Sequence, residues 1–129
     1  MTKATSLYTG MDMEKIEIAK IDITARNYND VLKQTEYHIA SATALGISVL
    51  KIICDPEATL SRVVQTSLKR AARKCKTMDK IEFFIFGENF KEYDAATDYL
   101  CQRCSFAKDD EDFGKGNKNI VIVYINSNK

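Results

Sequence analysis

The sequence has 129 residues, of which 45% are hydrophobic and 29% are charged. This length and composition are those of one globular domain with its own core, and they exclude two domains of ordinary size. The 19 basic and 18 acidic side chains nearly cancel. Because the molecule then has no strong overall field to draw it onto nucleic acid, any such binding requires a local basic patch.

The N-terminal residues lack the features of an export signal or a membrane anchor. Residues 1–12 contain no continuous apolar core, and no stretch approaches the roughly 18 apolar residues that a membrane-spanning helix needs. We therefore expect a cytoplasmic protein that does not enter membranes, with its four cysteines reduced. We also expect residues 1–14 to form a flexible tail and residues 15–129 to form one domain.

Hydrophobic periodicity predicts alternating strands and helices along the chain. Gly46 suits the C-terminal cap of the first helix, and Asp55-Pro56-Glu57 suits the start of the second. In chain order we expect a strand over residues 16–23, a helix over 31–45, a strand over 47–53, a helix that opens at 55–57 and ends in the basic run at 69–76, a strand over 81–86, a helix over 92–104, a loop over 108–116 and a strand over 120–125. This order predicts an α/β fold, β-α-β-α-β-(α)-β, with a four-stranded mixed sheet and helices packed on it.

Groups that commonly bind metals or transfer protons are few. Cys101 and Cys104 form a lone C-x-x-C pair, which we interpret as buried or idle thiols in preference to a redox or metal site. His38 is the only histidine, and its place beside the apolar stripe of a helix favours a packing role over catalysis. The four carboxylates of Asp109–Asp112 could hold a divalent cation, but a charged loop favours solvated surface. We expect no cofactor and no bound metal.

The loop Cys54–Glu57 follows a strand and feeds a helix, which is the usual place for phosphate binding in such folds. It contains no glycine and carries two carboxylates, so a structural helix cap is the better interpretation. The stronger positive signal is the basic end of the second helix, which consists of Lys69, Arg70, Arg73, Lys74 and Lys76. Complementing the helix dipole and contacting phosphates or an acidic partner explain this cluster equally well. Tyr28 is one of several candidate stacking groups.

With these elements in place, the chain resembles a small MutS-related (Smr) domain. Ile21-Asp22-Ile23-Thr24 stands where the family has a Leu-Asp-x-His pattern, and residues 52–57 stand at its His-Gly-x-Gly loop. Leu60-Ser61-Arg62-Val63 stands at the start of the next helix, where the family has a Leu-Arg-x-x-Val-like pattern. Gly114-Lys115-Gly116 precedes the last strand, where the family has a glycine-bearing turn. The similarity covers roughly residues 16–86 and the last strand, with an insertion at about 88–113.

The resemblance implies nucleic-acid nicking or RNA cleavage, but most motif residues are absent here. Only Asp22 is retained in the first motif, because Thr24 replaces the histidine, and the second motif has lost both its histidine and its glycines. We therefore expect an Smr-like module that binds RNA or DNA through the basic helix and lacks nuclease activity. The alternatives are a regulatory domain that docks a protein partner through residues 88–113, and a residual nuclease that uses Asp22 with Thr24 or the acidic run with a metal.

Overall fold

The computed structural model describes residues 15–22, 25, 27–54, 61–75 and 81–125, and for residues 61–64 it describes the backbone alone. The predictions for residues 1–14, Thr24, the loop at 55–60 and Lys76 lie outside the described residues. The secondary structure consists of β1 (Glu17–Ile21), α1 (Tyr28–Ala44), β2 (Val49–Cys54), α2 (Ser61–Cys75), β3 (Ile81–Phe86), α3 (Ala95–Arg103) and β4 (Ile120–Ile125), with short 3₁₀ helices at Gly87–Asn89 and Ser105–Asp109.

Local capping explains where the helices begin and end. The side chain of Asn27 accepts a hydrogen bond from the backbone N–H of Asp30 at 3.0 Å, which starts α1. Gly46, with φ of 74°, follows α1 in the left-handed conformation that suits glycine. α3 begins three residues later than predicted, because the side chain of Asp94 accepts from the N–H of Thr97 and caps the helix there. The predicted loop at 108–116 begins inside the second 3₁₀ helix.

The four strands form one mixed sheet in the order β1-β2-β4-β3. β1 and β2 are parallel, whereas β4 lies between β2 and β3 and is antiparallel to both. The predicted fold class, a single α/β domain with a four-stranded mixed sheet and packed helices, is confirmed by this topology. β1 and β3 are the edges of the sheet, and β2 and β4 form its fully paired centre.

The sheet is covered on both faces. Alternate strand residues, including Leu50, Ile52 and Val123, pack with the buried stripes of α1 and α2 in one core cluster. The opposite face, including Val49 and Ile122, packs with the shorter α3 and the 3₁₀ helices in a second cluster. Since both faces are buried, β4 is apolar throughout and all six of its residues are buried. No helix in the described part of the chain is long and apolar enough to cross a membrane.

Candidate nucleic-acid interface

The C-terminal half of α2 carries basic side chains. This helix lies on the face of the sheet that α1 also covers. Leu68, Ala71, Ala72 and Cys75 of this half are buried in the core. That burial fixes the rotation of the helix, so Arg70, Arg73 and Lys74 face solvent and Lys69 lies at the boundary. α2 packs beside α1 on one side and contacts β3 on the other.

Arg70 is held against an aromatic ring of the neighbouring helix. Its guanidinium carbon Cζ lies 3.9 Å from the centroid of the Tyr28 ring, at the start of α1. This distance is close to the optimal carbon–carbon contact, so the guanidinium lies over the ring face as in a cation–π pair. Tyr28 was one of several candidate stacking groups in the sequence, and the structure places it directly beside the basic helix.

A second ring lies beneath two further basic side chains of α2. Arg73 Cζ and Lys69 Nζ are each 5.1 Å from the centroid of Phe86, the last residue of the edge strand β3. Lys69 and Arg73, one turn apart on α2, therefore lie on the same face of the helix. Together, Tyr28, Lys69, Arg70, Arg73 and Phe86 form a surface of cations on aromatic rings, referred to below as the basic-aromatic surface.

The charges on this surface are not equally available. Lys69 donates a hydrogen bond to Glu88, just after β3, so its charge is already neutralised. Burial alone would raise the pKa of Glu88, but the hydrogen bond from Lys69 holds that pKa below its usual value, which keeps the carboxylate ionised. In the described part of the chain, neither Arg70 nor Arg73 has a carboxylate partner. The two arginines are therefore the cations best placed to contact an anion.

A different charged group lies on the opposite face of the sheet, and the sequence analysis did not predict it. Lys51, in the middle of β2, is completely buried. Its Nζ lies 2.9 Å from Asp110 Oδ2 and 2.7 Å from Asp112 Oδ2. The expectation that residues 109–112 are simply solvated surface is therefore wrong for these two aspartates, because they turn inward to neutralise the lysine. A lysine at the centre of an apolar strand was the available signal.

The carboxylates and the lysine hold each other in their charged forms. Burial alone would lower the pKa of Lys51, but hydrogen bonds to Asp112 and Asp110 and the charges of both carboxylates raise it above its ordinary value. Burial would likewise raise the pKa of Asp112, but hydrogen bonds from Lys51 and Asn117 lower it. Asp110 also accepts from the backbone N–H of Asp112, which closes the turn. This group is an internal ion pair that ties β2 to the loop before β4.

The candidate catalytic residues do not assemble into one site in the described structure. Asp22 is exposed just after β1, where its backbone N–H donates to Gln34 Oε1 at 2.6 Å. His38 Nε2 lies 3.1 Å from the carbonyl oxygen of Lys20. The depression beside the acidic run is lined by Asp109 and Asp110 but not by Asp22. Among the described residues, no three histidine, cysteine or acidic side chains are grouped to hold a metal ion.

The cysteines are free and buried. Burial raises the pKa of the Cys54 thiol to about 12 and, with the charge of Glu36, that of Cys75 to about 11. Cys101 lies in α3 and Cys104 at its C-terminal cap, and burial raises both of their pKa values. Thiols with raised pKa values carry little thiolate at neutral pH, so they are weak nucleophiles and weak metal ligands. This arrangement agrees with the interpretation of the C-x-x-C pair as buried thiols.

The segment at 88–113 packs mainly into the protein's own core. Five of its apolar side chains are buried against the face of the sheet opposite α1 and α2, namely Phe90, Leu100, Cys101, Cys104 and Ala107. Tyr93, which is 93% exposed, and Tyr99 are its only large hydrophobic side chains on the surface. Within residues 81–125, which are described throughout, most of the large apolar side chains of this segment are thus used in the protein's own core.

Similarity to known proteins is found among solved structures. No protein-family model matches the sequence. No curated protein matches it either. Among solved structures, the chain is similar to the Smr domain of MutS2 from Thermus thermophilus, with 14% sequence identity, a TM-score of 0.49, and coverage of 84% of this chain and 96% of that one. This likeness carries no residue role over to the present chain.

Proposed function

We propose that this chain is an Smr-like module that binds nucleic acid through Arg70 and Arg73 and does not cleave the bound strand. The observation that carries the proposal is the basic-aromatic surface, on which both arginines lie over rings and neither has a carboxylate partner in the described part of the chain. Guanidinium groups in this state can donate paired hydrogen bonds to phosphate oxygens. With a net charge of +1 the chain has no strong overall field, so binding to a polyanion requires a local basic surface of this kind.

The helix dipole does not account for this arrangement by itself. Cations in the last turn of a helix stabilise it by about 0.3–1 kcal/mol, and Arg73 and Lys74 occupy that turn. Arg70 lies before the last turn, and the dipole gives no reason for an aromatic ring beneath each arginine. Rings beside exposed cations are typical of surfaces that bind nucleic-acid strands. Both features fit a binding surface better than a helix cap.

We propose that the strand is not cleaved because the chain has few groups that could transfer protons near the bound strand. Thr24 stands where the resemblance places a histidine. His38, the only histidine in the sequence, lies on α1 with its Nε2 3.1 Å from the carbonyl oxygen of Lys20 on β1. A hydrolytic reaction needs a group that transfers protons near neutral pH. His38 lies ten residues along α1 from Tyr28, about 15 Å by the rise of the helix, so this proton-transfer group is not beside the ring that contacts Arg70.

The test is fluorescence anisotropy with short labelled RNA and DNA at several salt concentrations. Wild type is compared with an Arg70→Glu/Arg73→Glu variant, and the matched control is Lys91→Glu/Lys115→Glu, which makes the same charge change at two exposed lysines outside α2. The logarithm of affinity should fall linearly with the logarithm of salt concentration for wild type. The arginine variant should lose at least about 1.4 from that slope, the contribution of two phosphate contacts on a single strand.

Equal losses in the arginine variant and the lysine control would contradict the proposal, because the effect would then follow net charge and not the surface. The same mixtures are run on a denaturing gel. Cleavage of the labelled strand that survives further purification and is lost in an Asp22→Asn variant would overturn the second half of the proposal. Thermal unfolding of each variant shows that the fold is retained.

A further inference from the structure

Arg70 and Tyr28 differ from the rest of the basic-aromatic surface in how closely they are held. The Arg70 guanidinium lies 3.9 Å from its ring centroid, whereas Lys69 and Arg73 are each 5.1 Å from theirs. One face of the guanidinium is therefore covered by Tyr28 from within the protein. Since Arg70 is an exposed residue, the opposite face of this flat group is directed to solvent.

The position of this pair is set by the fold before any ligand binds. Tyr28 is the first residue of α1, and Asn27 caps that helix by accepting from the Asp30 N–H at 3.0 Å. The Tyr28 side chain is half-buried and packs against the core beneath both helices. Leu68, Ala71 and Ala72 fix the rotation of α2 on either side of Arg70. Because the protein already holds the Arg70 side chain in place, a ligand that stacks on it does not bear the entropy cost of ordering that side chain.

We propose that the outer face of Arg70, backed by Tyr28, is a stacking platform for an unpaired base, so that the surface selects single-stranded over double-stranded nucleic acid. This inference rests on the proposed function above. Guanidinium planes and aromatic rings both stack on unpaired bases, and each such contact contributes substantially to single-strand affinity. In a duplex the bases are stacked on one another, so a platform on a convex helix surface reaches only phosphates.

Arg73 over Phe86 extends the same surface one helical turn further along α2. Residues three apart on a helix are neighbours, and from these neighbouring positions Arg70 leans over Tyr28 of α1 and Arg73 leans over Phe86 of β3. A strand that stacks one base on Arg70 can therefore place a backbone phosphate near Arg73. The ion pair between Lys69 and Glu88 bounds the surface on the β3 side, where a carboxylate disfavours further phosphates.

The experiment compares four ligands of the same length, about 12 nucleotides, which covers one binding site of this type. The ligands are single-stranded RNA, single-stranded DNA, a single strand of abasic residues that keeps the phosphates, and a DNA duplex. Wild type should bind the base-bearing single strands about tenfold more tightly than the abasic strand or the duplex.

Arg70→Lys keeps the charge and removes the flat group, and Tyr28→Leu removes the ring beneath it. Both variants should lose more affinity for the base-bearing strands than for the abasic strand, so that the preference for bases disappears. Arg103→Lys is the matched control, because Arg103 also lies over rings, those of Tyr99 and Tyr124, but on the opposite side of the sheet. It should keep the full preference for bases.

Two failures are distinguishable. Salt-dependent binding that is equal for base-bearing, abasic and duplex ligands would overturn the platform and leave the proposed function intact. No salt-dependent binding to any of the four ligands would overturn both. A base preference that survives in Arg70→Lys and in Tyr28→Leu, with both variants folded, would also overturn the platform at this position.

Discussion

The ammonium group of Lys51 lies 2.7 Å from Oδ2 of Asp112 and is completely buried on the second strand of the sheet. By strand alternation Lys51 faces the same side as Val49, whose neighbours are the apolar side chains beneath α3. Its register partners on the adjacent strands are Ile18 and Ile122. A charge in these surroundings is tolerated only with good partners, and Asp110 and Asp112 provide three hydrogen bonds to it.

The first prediction concerns removal of the two acidic partners. An Asp110→Asn/Asp112→Asn variant leaves Lys51 buried without a counter-charge and should lower the free energy of unfolding by about 3–5 kcal/mol. Restoring apolar character in the triple variant with Lys51→Met should recover much of that loss. The measurement is urea unfolding followed by circular dichroism. Asp109→Asn/Glu111→Gln, which changes the two exposed neighbours in the same loop, should alter stability by less than about 0.5 kcal/mol.

A triple variant as unstable as the double variant would show that the aspartates act through the turn and not through the lysine. Asp110 also accepts from the Asp112 N–H, and Asp112 accepts from Asn117, so this outcome has a physical basis. The comparison therefore separates the ion pair from the local structure of the loop.

The second prediction is the pH dependence of the same group. The pKa of Asp112 is lowered in the folded state, so its contribution to stability is complete above its unfolded pKa of about 4 and is lost as pH falls through the folded value. The pKa of Lys51 is raised, so its contribution is complete below about 10.5 and is lost as pH rises through the folded value.

The stability difference between wild type and Lys51→Met should accordingly be largest between about pH 5 and pH 10 and should narrow on either side. Unfolding free energies from urea titrations at a series of pH values provide the measurement. The lowered pKa of Glu88 contributes to both proteins equally and cancels in the difference. A difference that stays constant from pH 7 down to pH 2 would contradict the assignment of the lowered pKa to Lys51.

The elements of the fold could be predicted because their signals are local. Alternation and apolar runs mark the four strands, and capping residues such as Asn27 and Gly46 mark the ends of α1. The helix at 92–104 was predicted too long because the stronger cap, Asp94, lies inside the predicted span. These signals concern neighbouring residues, so a single sequence is enough to reveal them.

The candidate site was harder to predict, because its contacts join residues that are far apart in the sequence. The basic end of α2 is visible as a cluster of charges, but the ring beneath Arg70 comes from Tyr28 in another helix. Lys51 and Asp110 are 59 residues apart, and the run of four carboxylates resembles ordinary solvated surface. Contacts of this kind depend on how the sheet and helices are assembled, and no local periodicity encodes them.

The third prediction concerns thiol reactivity. All four cysteines are free and buried, and the pKa values of Cys54 and Cys75 are raised to about 12 and about 11. At pH 8 the native protein should therefore react with an aromatic disulfide reagent far more slowly than a free thiol, because both access and thiolate are limited. In denaturant, four thiols should react at once. Rapid native reaction of two thiols would instead show that Cys101 and Cys104 are accessible, contrary to their burial at the end of α3.

The fourth prediction concerns Gly87, which joins β3 to the first 3₁₀ helix. A Cβ at this position would overlap the carbonyl oxygen of Asn117 and lie 2.7 Å from Ile120 Cγ1. The obstacle is a backbone carbonyl just before β4, which cannot move aside as the end of a flexible side chain could. Gly87→Ala should lower the free energy of unfolding by about 3 kcal/mol, the upper range for overpacking.

Gly114→Ala is the matched control for Gly87→Ala. Gly114 has φ of 78° but open space around it, so alanine there meets no atoms and should cost only about 1 kcal/mol of backbone strain. Urea unfolding of the two variants gives the comparison. A loss at Gly87 no larger than that at Gly114 would contradict the prediction, because it would mean that the Asn117 backbone moves aside for the new Cβ. A larger loss at Gly87 would establish that β3 and the start of β4 are held together by a contact that leaves no room for a side chain.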